Sequence, residues 1–167
     1  MVLVGLGSNQ GASAAILEAA AARLPAFASG PVRLSGFWRT SPVDCPPGSG
    51  DFINAVAAFN PRAGLTPEAL LDALKAIERE FGPRTPGVRN APRALDLDLL
   101  VFGAETRDTP EFVLPHPRAI QRRFVLVPAA EVAPEVLWPQ TGSTVGALAA
   151  ALVTDERLER LTADGPE

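Results

Sequence analysis

RNAPRALDLDLLVFG, Arg89 to Gly103, decides how this chain folds. Leu95, Asp96, Leu97, Asp98 and Leu99 alternate with period two, the mark of a strand with two unlike faces. Asp96 and Asp98 then share one face, and Leu95, Leu97, Leu99 and Val101 share the other, which belongs in a core. Two carboxylates about 7 Å apart along a strand repel each other unless a cation sits between them. Arg84, Arg89 and Arg93 stand just upstream. The bland alternative is a solvated edge-strand face, where Asp is disfavoured but tolerated, beside solvated loop arginines. Three arginines close ahead of two acids favour the other reading, a nucleotide–Mg²⁺ site. Carboxylates hold the hard metal there, and guanidinium forks hold phosphate.

Outward from this strand the pattern gives a βαββαβ order. Val2 to Gly7 reads as a buried first strand, turned by Gly7-Ser8-Asn9. A helix follows over Ser13 to Leu24, ended by Pro25 and Ser29-Gly30-Pro31. Val32 to Trp38 reads as the second strand, Thr40 to Asp51 as a long loop, and Phe52 to Phe59 as the third strand. Thr66 is an N-cap with Pro67 at the first helical position. Leu70, Leu71, Leu74, Ile77 and Phe81 then make an apolar stripe up to Gly82. A second loop, Pro83 to Pro92, leads into the Asp strand. The order implies an α+β fold, ferredoxin-like, with an antiparallel sheet and both helices on its leucine face. The Asp face is expected to be left for loops and ligand. Further on, a turn over Gly103 to Thr109 into a short hairpin strand near Phe112 to Leu114, a proline-interrupted helical segment from Pro115 and an Ala-rich helix over Thr144 to Leu152 are expected. Asp155 to Glu167 reads as a polar tail that frays. The whole, 1–167, reads as one domain without internal repeats.

Composition narrows the partners. The basic residues are 14 Arg and one Lys, and the net charge is −4, which argues against a general nucleic-acid binder. Arg79 to Arg123 carries eight basic and six acidic residues, the remainder seven and thirteen. A locally basic segment suits a small polyanion. Cys45 is the only cysteine, which excludes an internal disulfide and a cysteine-based zinc cluster. No basic leader and no membrane-length apolar run is visible. A cytoplasmic, soluble monomer acting on small molecules is expected.

Other residues carry weaker signals. Gly5-Leu6-Gly7-Ser8-Asn9 reads as a tight turn rather than a phosphate loop, and Lys75, the sole lysine, lies mid-helix outside any Walker A pattern. His116, before Arg118, Arg122 and Arg123, is either structural or a phosphate contact. Asn54, an amide within an apolar strand, needs partners. Phe52, Phe124 and Trp38 read as core before they read as ligand platforms. Whether Asn9 and Glu78 touch a ligand or support the site stays open.

Arg89 to Leu100, RNAPRALDLDLL, resembles the signature of the 6-hydroxymethyl-7,8-dihydropterin pyrophosphokinases of folate biosynthesis. So do GLGSN near the start, WRTSP at 38–42, DFINAV at 51–56, LKAIEREFG at 74–82 and LPHPRAIQRRFVLVP at 114–128. The resemblance implies a ferredoxin-like fold and transfer of pyrophosphate from ATP to the pterin hydroxymethyl group, releasing AMP. It implies that Asp96 and Asp98 hold two Mg²⁺ ions. Arg84, on a closing loop, and Arg93 would be the catalytic arginines on the transferring phosphates, and Arg89, Leu99, His116 and Arg122 would complete the ATP site. It also implies that Asn54 reads the pterin edge, that Phe52 and Phe124 stack on its faces, and that the backbone near Thr40 and Val43 closes the pocket. Pro83 stands where many relatives have Arg, which puts Arg84 one place off that pattern. Asn90, Phe52 and Pro117 replace aromatics found in some relatives. Two rival readings of the same residues are a non-catalytic ferredoxin-like binding module and a Mg²⁺-dependent phosphohydrolase.

Overall fold

The apolar run Val2–Ser8 forms the strand through which the rest of the molecule is tied together; every residue of it except Gly5 is buried. The structure, a computed structural model, describes residues 1–9, 12–40, 51–82 and 94–161. In chain order its elements are β1 (Val2–Ser8), α1 (Ser13–Ala21), a 3₁₀ turn (Leu24–Phe27), β2 (Arg33–Leu34), β3 (Trp38–Thr40), β4 (Phe52–Phe59) and α2 (Pro67–Phe81). There follow β5 (Asp96–Phe102), β6 (Arg107–Asp108), β7 (Val113–Leu114), a 3₁₀ turn (Ala119–Gln121), α3 (Arg123–Val132), α4 (Val145–Ala151) and β8 (Leu158–Arg160).

The main sheet runs β5-β1-β4-β3-β8, with β2 also on β4. Its pairings are antiparallel. α2 follows its stripe: Leu70, Leu74 and Ile77 are buried, Thr66 accepts a hydrogen bond from the Ala69 N–H at 3.1 Å, and Gly82 ends the helix at φ 132°. α1 stops at Ala21, short of Leu24, which starts the 3₁₀ turn that Pro25 continues.

Helices cover both faces of the sheet, not one. Val4, Leu6, Ile53, Ala57, Phe59, Leu95, Leu97 and Leu99 pack with Leu17 of α1 and Leu70, Leu74 and Ile77 of α2. On the other face Leu3, Val56, Ala58, Leu100 and Val101 pack with Val125, Leu126 and Ala129 of α3 and Val145 at the start of α4. The expectation that the Asp face is left to loops and ligand is therefore corrected where α3 and α4 cover it. The apolar residues farther along β1, β4 and β5 need a second helical layer, and α3 and α4 supply it.

Three further expectations are corrected. Val101 does not share a face with the leucines. The register slips between Leu3 and Val4, which pair with Val101 and Leu99, so Leu100 is an extra residue and Val101 turns to the α3 side. Val32 to Trp38 is not one strand. Ser35 breaks it, its N–H donating to Val56 O and its Oγ accepting from Val56 N–H, both at 2.9 Å, so a side chain takes over a ladder position. The tail does not fray at Leu158–Arg160, which pairs with β3. Leu161 beyond it packs on the α1–α2 core.

Candidate functional site

One row of cross-strand neighbours crosses the sheet: Asp96 faces Gly7, Gly7 faces Asn54, and Asn54 faces Trp38. Asp98 faces Gly5 one pleat away. Asp96 and Asn54 are therefore two strand spacings apart, about 10 Å, and the residue between them in the row is a glycine. Gly7 has to be bare, because a Cβ there would lie 2.9 Å from Asn54 Oδ1. The result is a trough with acids at one end and an amide at the other.

The acid end lies at the edge strand β5, and α2 closes that edge. Glu78 accepts the Leu97 N–H at 2.6 Å, and the Lys75 ammonium donates to Leu97 O and to Glu78, each at 3.4 Å. Farther along, the His116 N–H donates to Leu100 O at 2.9 Å. Asp98 is pushed up to about 7, first by burial and then by the charge of Asp96; Lys75 and Arg122 oppose this. Burial also raises Glu78, as does the Asp96 carboxyl it contacts, while the Leu97 N–H and Lys75 pull it back. Three crowded carboxyls, two of them raised, form an anionic pocket that a cation would relieve. Among the described residues no three His, Cys, Asp or Glu side chains converge as a metal cage. A two-carboxylate donor set leaves most of a Mg²⁺ shell to water and phosphate, which is how that ion is usually held.

His116 is lowered to about 4, first by burial and then by Arg122 and Arg118. Its Nδ1 accepts the Arg118 N–H at 3.3 Å, so the neutral ring carries its proton on Nε2. Arg122 lies beside Asp98 and His116, with its guanidinium carbon 5.5 Å from the centre of the Phe124 ring, a cation–π contact.

The amide end is neutral. Asn54 is buried and its Nδ2 donates to Thr40 Oγ1, also buried, at 2.8 Å. Phe52, half-buried, shares their face, and Phe124 on the first turn of α3 packs partly against the core of that face. Trp38 is not core; it is half-buried, with its Nε1 donating to Glu131.

The structure thus gathers Asp96, Asp98, His116 and Arg122 at one end, and Thr40, Phe52 and Asn54 at the other. Leu99 stands apart, its side chain 4% exposed in the α1–α2 core. Val43, Arg84, Arg89 and Arg93 lie outside the described residues. Sequence reasoning left Glu78 open and assigned nothing to Lys75 or Glu131. A signal existed for Glu78: it is four residues after Leu74, a carboxylate on the buried stripe of α2.

Acids beside arginine and imidazole at one end of the row, and an amide near aromatics at the other, are side chains chemically suited to phosphate and to a flat ring. Comparison with known proteins makes the class specific. Residues 3–134 match the family model for 7,8-dihydro-6-hydroxymethylpterin-pyrophosphokinase (HPPK), and the chain belongs to that family. It is 38% identical over 143 residues to 2-amino-4-hydroxy-6-hydroxymethyldihydropteridine pyrophosphokinase of Synechocystis sp., covering 86% of this chain and 71% of that one. To the protein of the same name from Pseudomonas aeruginosa it is 40% identical over 142 residues, covering 83% of each. In shape it is similar to a crystal structure of Plasmodium falciparum HPPK-DHPS with pteroate, at TM-score 0.65 and 14% identity. That likeness covers 89% of this chain and 41% of that one, so this chain spans well under half of HPPK-DHPS, and it speaks for the fold alone.

Proposed function

We propose that this chain transfers the pyrophosphoryl group of ATP to the hydroxymethyl oxygen of 6-hydroxymethyl-7,8-dihydropterin in folate biosynthesis. The hydroxymethyl oxygen bonds to the β-phosphorus, the bond from that phosphorus to the oxygen bridging it to the α-phosphorus breaks, and AMP leaves. The observation that carries this reading is the row Asp96–Gly7–Asn54, which sets an anionic pocket and an amide on one bare floor.

The strand order β5-β1-β4-β3, with α1 and α2 packed on one face, supports reading the core as ferredoxin-like. Asp96 and Asp98 would hold two Mg²⁺ ions, which when bound neutralise the phosphates and acidify the alcohol. His116 and Arg122 then contact ATP, with the Nε2–H of the neutral imidazole donating to a phosphate oxygen and the guanidinium pairing with phosphate charge. Arg84, Arg89 and Arg93 are assigned to the same phosphates, and Leu99 to the ATP site through its backbone. Asn54 reads the polar edge of the ring, Phe52 and Phe124 stack on its faces, and Thr40 and Val43 close the pocket.

The remaining assignments are a single-domain cytoplasmic monomer that takes only its two small substrates. Among the described residues no helix is long and apolar enough to cross a membrane. Both sheet edges are blunted: β5 by Glu78, Lys75 and the His116 segment, and β8 by the exposed Glu159 and Arg160. Blunted edges resist pairing with a second copy.

Incubating the protein with ATP and Mg²⁺, with and without the pterin alcohol, tests the reaction. AMP formed only with the pterin is expected. Phosphate released without it would make the protein a hydrolase, and no turnover would make it a binding module.

A further inference from the structure

Two residues near the C-terminus grip the two walls of the ring end. Leu158–Arg160 pairs with β3 residue for residue, Trp38 with Arg160, Arg39 with Glu159 and Thr40 with Leu158. The Leu161 N–H donates to Phe37 O at 2.8 Å. The Arg160 guanidinium lies against the bare backbone of Gly36, where a Cβ would meet it at 2.7 Å, and its Nη2 is 3.2 Å from Glu131 Oε2. That oxygen also accepts the Gly36 N–H at 3.2 Å, and Glu131 Oε1 accepts Trp38 Nε1 at 2.5 Å. Glu131 on α3 thus clamps β3 and β8 together.

The other wall is held from the same segment. Glu156 Oε2 accepts the N–H of Arg123, the first residue of α3, at 2.7 Å. A carboxylate there satisfies an orphan donor and complements the helix dipole. Arg122 and Phe124 flank that N–H. Glu156 is itself fixed, its N–H donating to Thr154 Oγ1 at 3.1 Å.

We infer that Glu156–Leu161 is a positioning element of the ring-binding end, holding Thr40 and through it Asn54 by way of β3, and Phe124 by way of the α3 N-terminus. This rests on the assignment of Asn54 and Phe124 to the pterin. The segment lies beyond residues 3–134, where the family match ends, so nothing in that match assigns it a role. It fixes the two elements that line the trough, one by a strand pairing and an ion pair, the other by a cap.

The test separates the Michaelis constants of the two substrates. Arg160→Ala should raise KM for the pterin alcohol about three- to tenfold, the worth of one or two hydrogen bonds, with kcat and KM for ATP unchanged within about twofold. Arg160→Lys should recover most of that loss. Glu156→Ala should raise both constants about equally, because Phe124 and Arg122 move together, and Glu156→Gln, which keeps an acceptor, should recover most of it. A purely structural segment would instead lower the melting temperature and leave both constants unchanged. Asn54→Ala is the control. If it raises the pterin constant while Arg160→Ala and Glu156→Ala do not, the inference is overturned. If Asn54→Ala leaves the constant unchanged, the pocket assignment fails and the inference falls with it. Should Arg160→Ala not fold, Glu131→Gln carries the same test: a raised pterin constant supports the inference, and an unchanged one overturns it.

Discussion

The two ends of the trough are built on opposite terms. At the acid end, Asp98 and Glu78 are both raised, each in part by the charge of Asp96. At the ring end, Asn54 and Thr40 are buried and already bonded to each other. One end is crowded with like charge, and the other is neutral and already hydrogen-bonded. The sheet keeps the two apart by its own spacing. A ligand that satisfied both ends would have to carry a cation-bound polyanion at one side and a flat, hydrogen-bonding ring at the other.

Removing the acid end should have the largest effect. Asp96→Ala or Asp98→Ala should cut turnover by about 10³-fold or more, while pterin binding, followed by fluorescence titration in the absence of nucleotide, stays near normal. Substantial turnover in either variant would break the division of labour. Crowding the floor between the ends comes next. In Gly7→Ala the new Cβ would press on Asn54 Oδ1 and should weaken pterin binding about tenfold, leaving ATP binding intact. Equal loss of both in calorimetry would show that the ends are not separable.

The smallest effect is on stability and reads the acid end without any ligand. A carboxyl raised from 3.8 to about 7 is favoured protonated in the fold, so Asp98 costs stability progressively as pH rises from about 4 to about 7. His116, lowered from 6.5 to about 4, has the opposite sense: its contribution is present above 6.5 and lost as pH falls through 4. Between pH 8 and 6.5 the two oppose each other, and Asp98 is the larger. The metal-free melting temperature should therefore rise by about 1 °C on going from pH 8 to pH 6.5, and Asp98→Asn should abolish or reverse the slope. A parent protein with no slope would mean that Asp98 is not held in a raised state.

Local pattern carried much of this into the sequence. The alternation around Asp96 and the stripe and cap of α2 follow from neighbours in the chain, and each is found where the pattern puts it; β7 falls at the expected strand, but its partner β6 lies within the stretch read as turn. The corrected features come from partners far away in sequence. Leu100 is an extra residue only because of how β1 pairs with β5, and β8 exists because β3 offers an edge. Three residues, Leu158–Arg160, carry too little periodicity to announce a strand. The layer formed by α3 and α4 depends on which face of β4 and β5 remains apolar, and simple alternation hides it by putting Val101 on the leucine face. Asp96, Asp98 and Asn54 were legible because charge or amide in an apolar strand is conspicuous. Glu131 was not, since a glutamate on a helix is ordinary until its partners are known.

The slip at Leu100 has a further consequence. It adds one residue to β5, so that Leu100 and Val101 both face α3 while Leu99 and Phe102 face α1 and α2. Deleting Leu100 would restore plain alternation, with Leu3 opposite Val101, Val4 opposite Leu99, and Asp96 and Asp98 aimed as before. The spare residue thus serves the layer under α3, which it supplies with one more apolar side chain, and leaves the aim of the acids untouched.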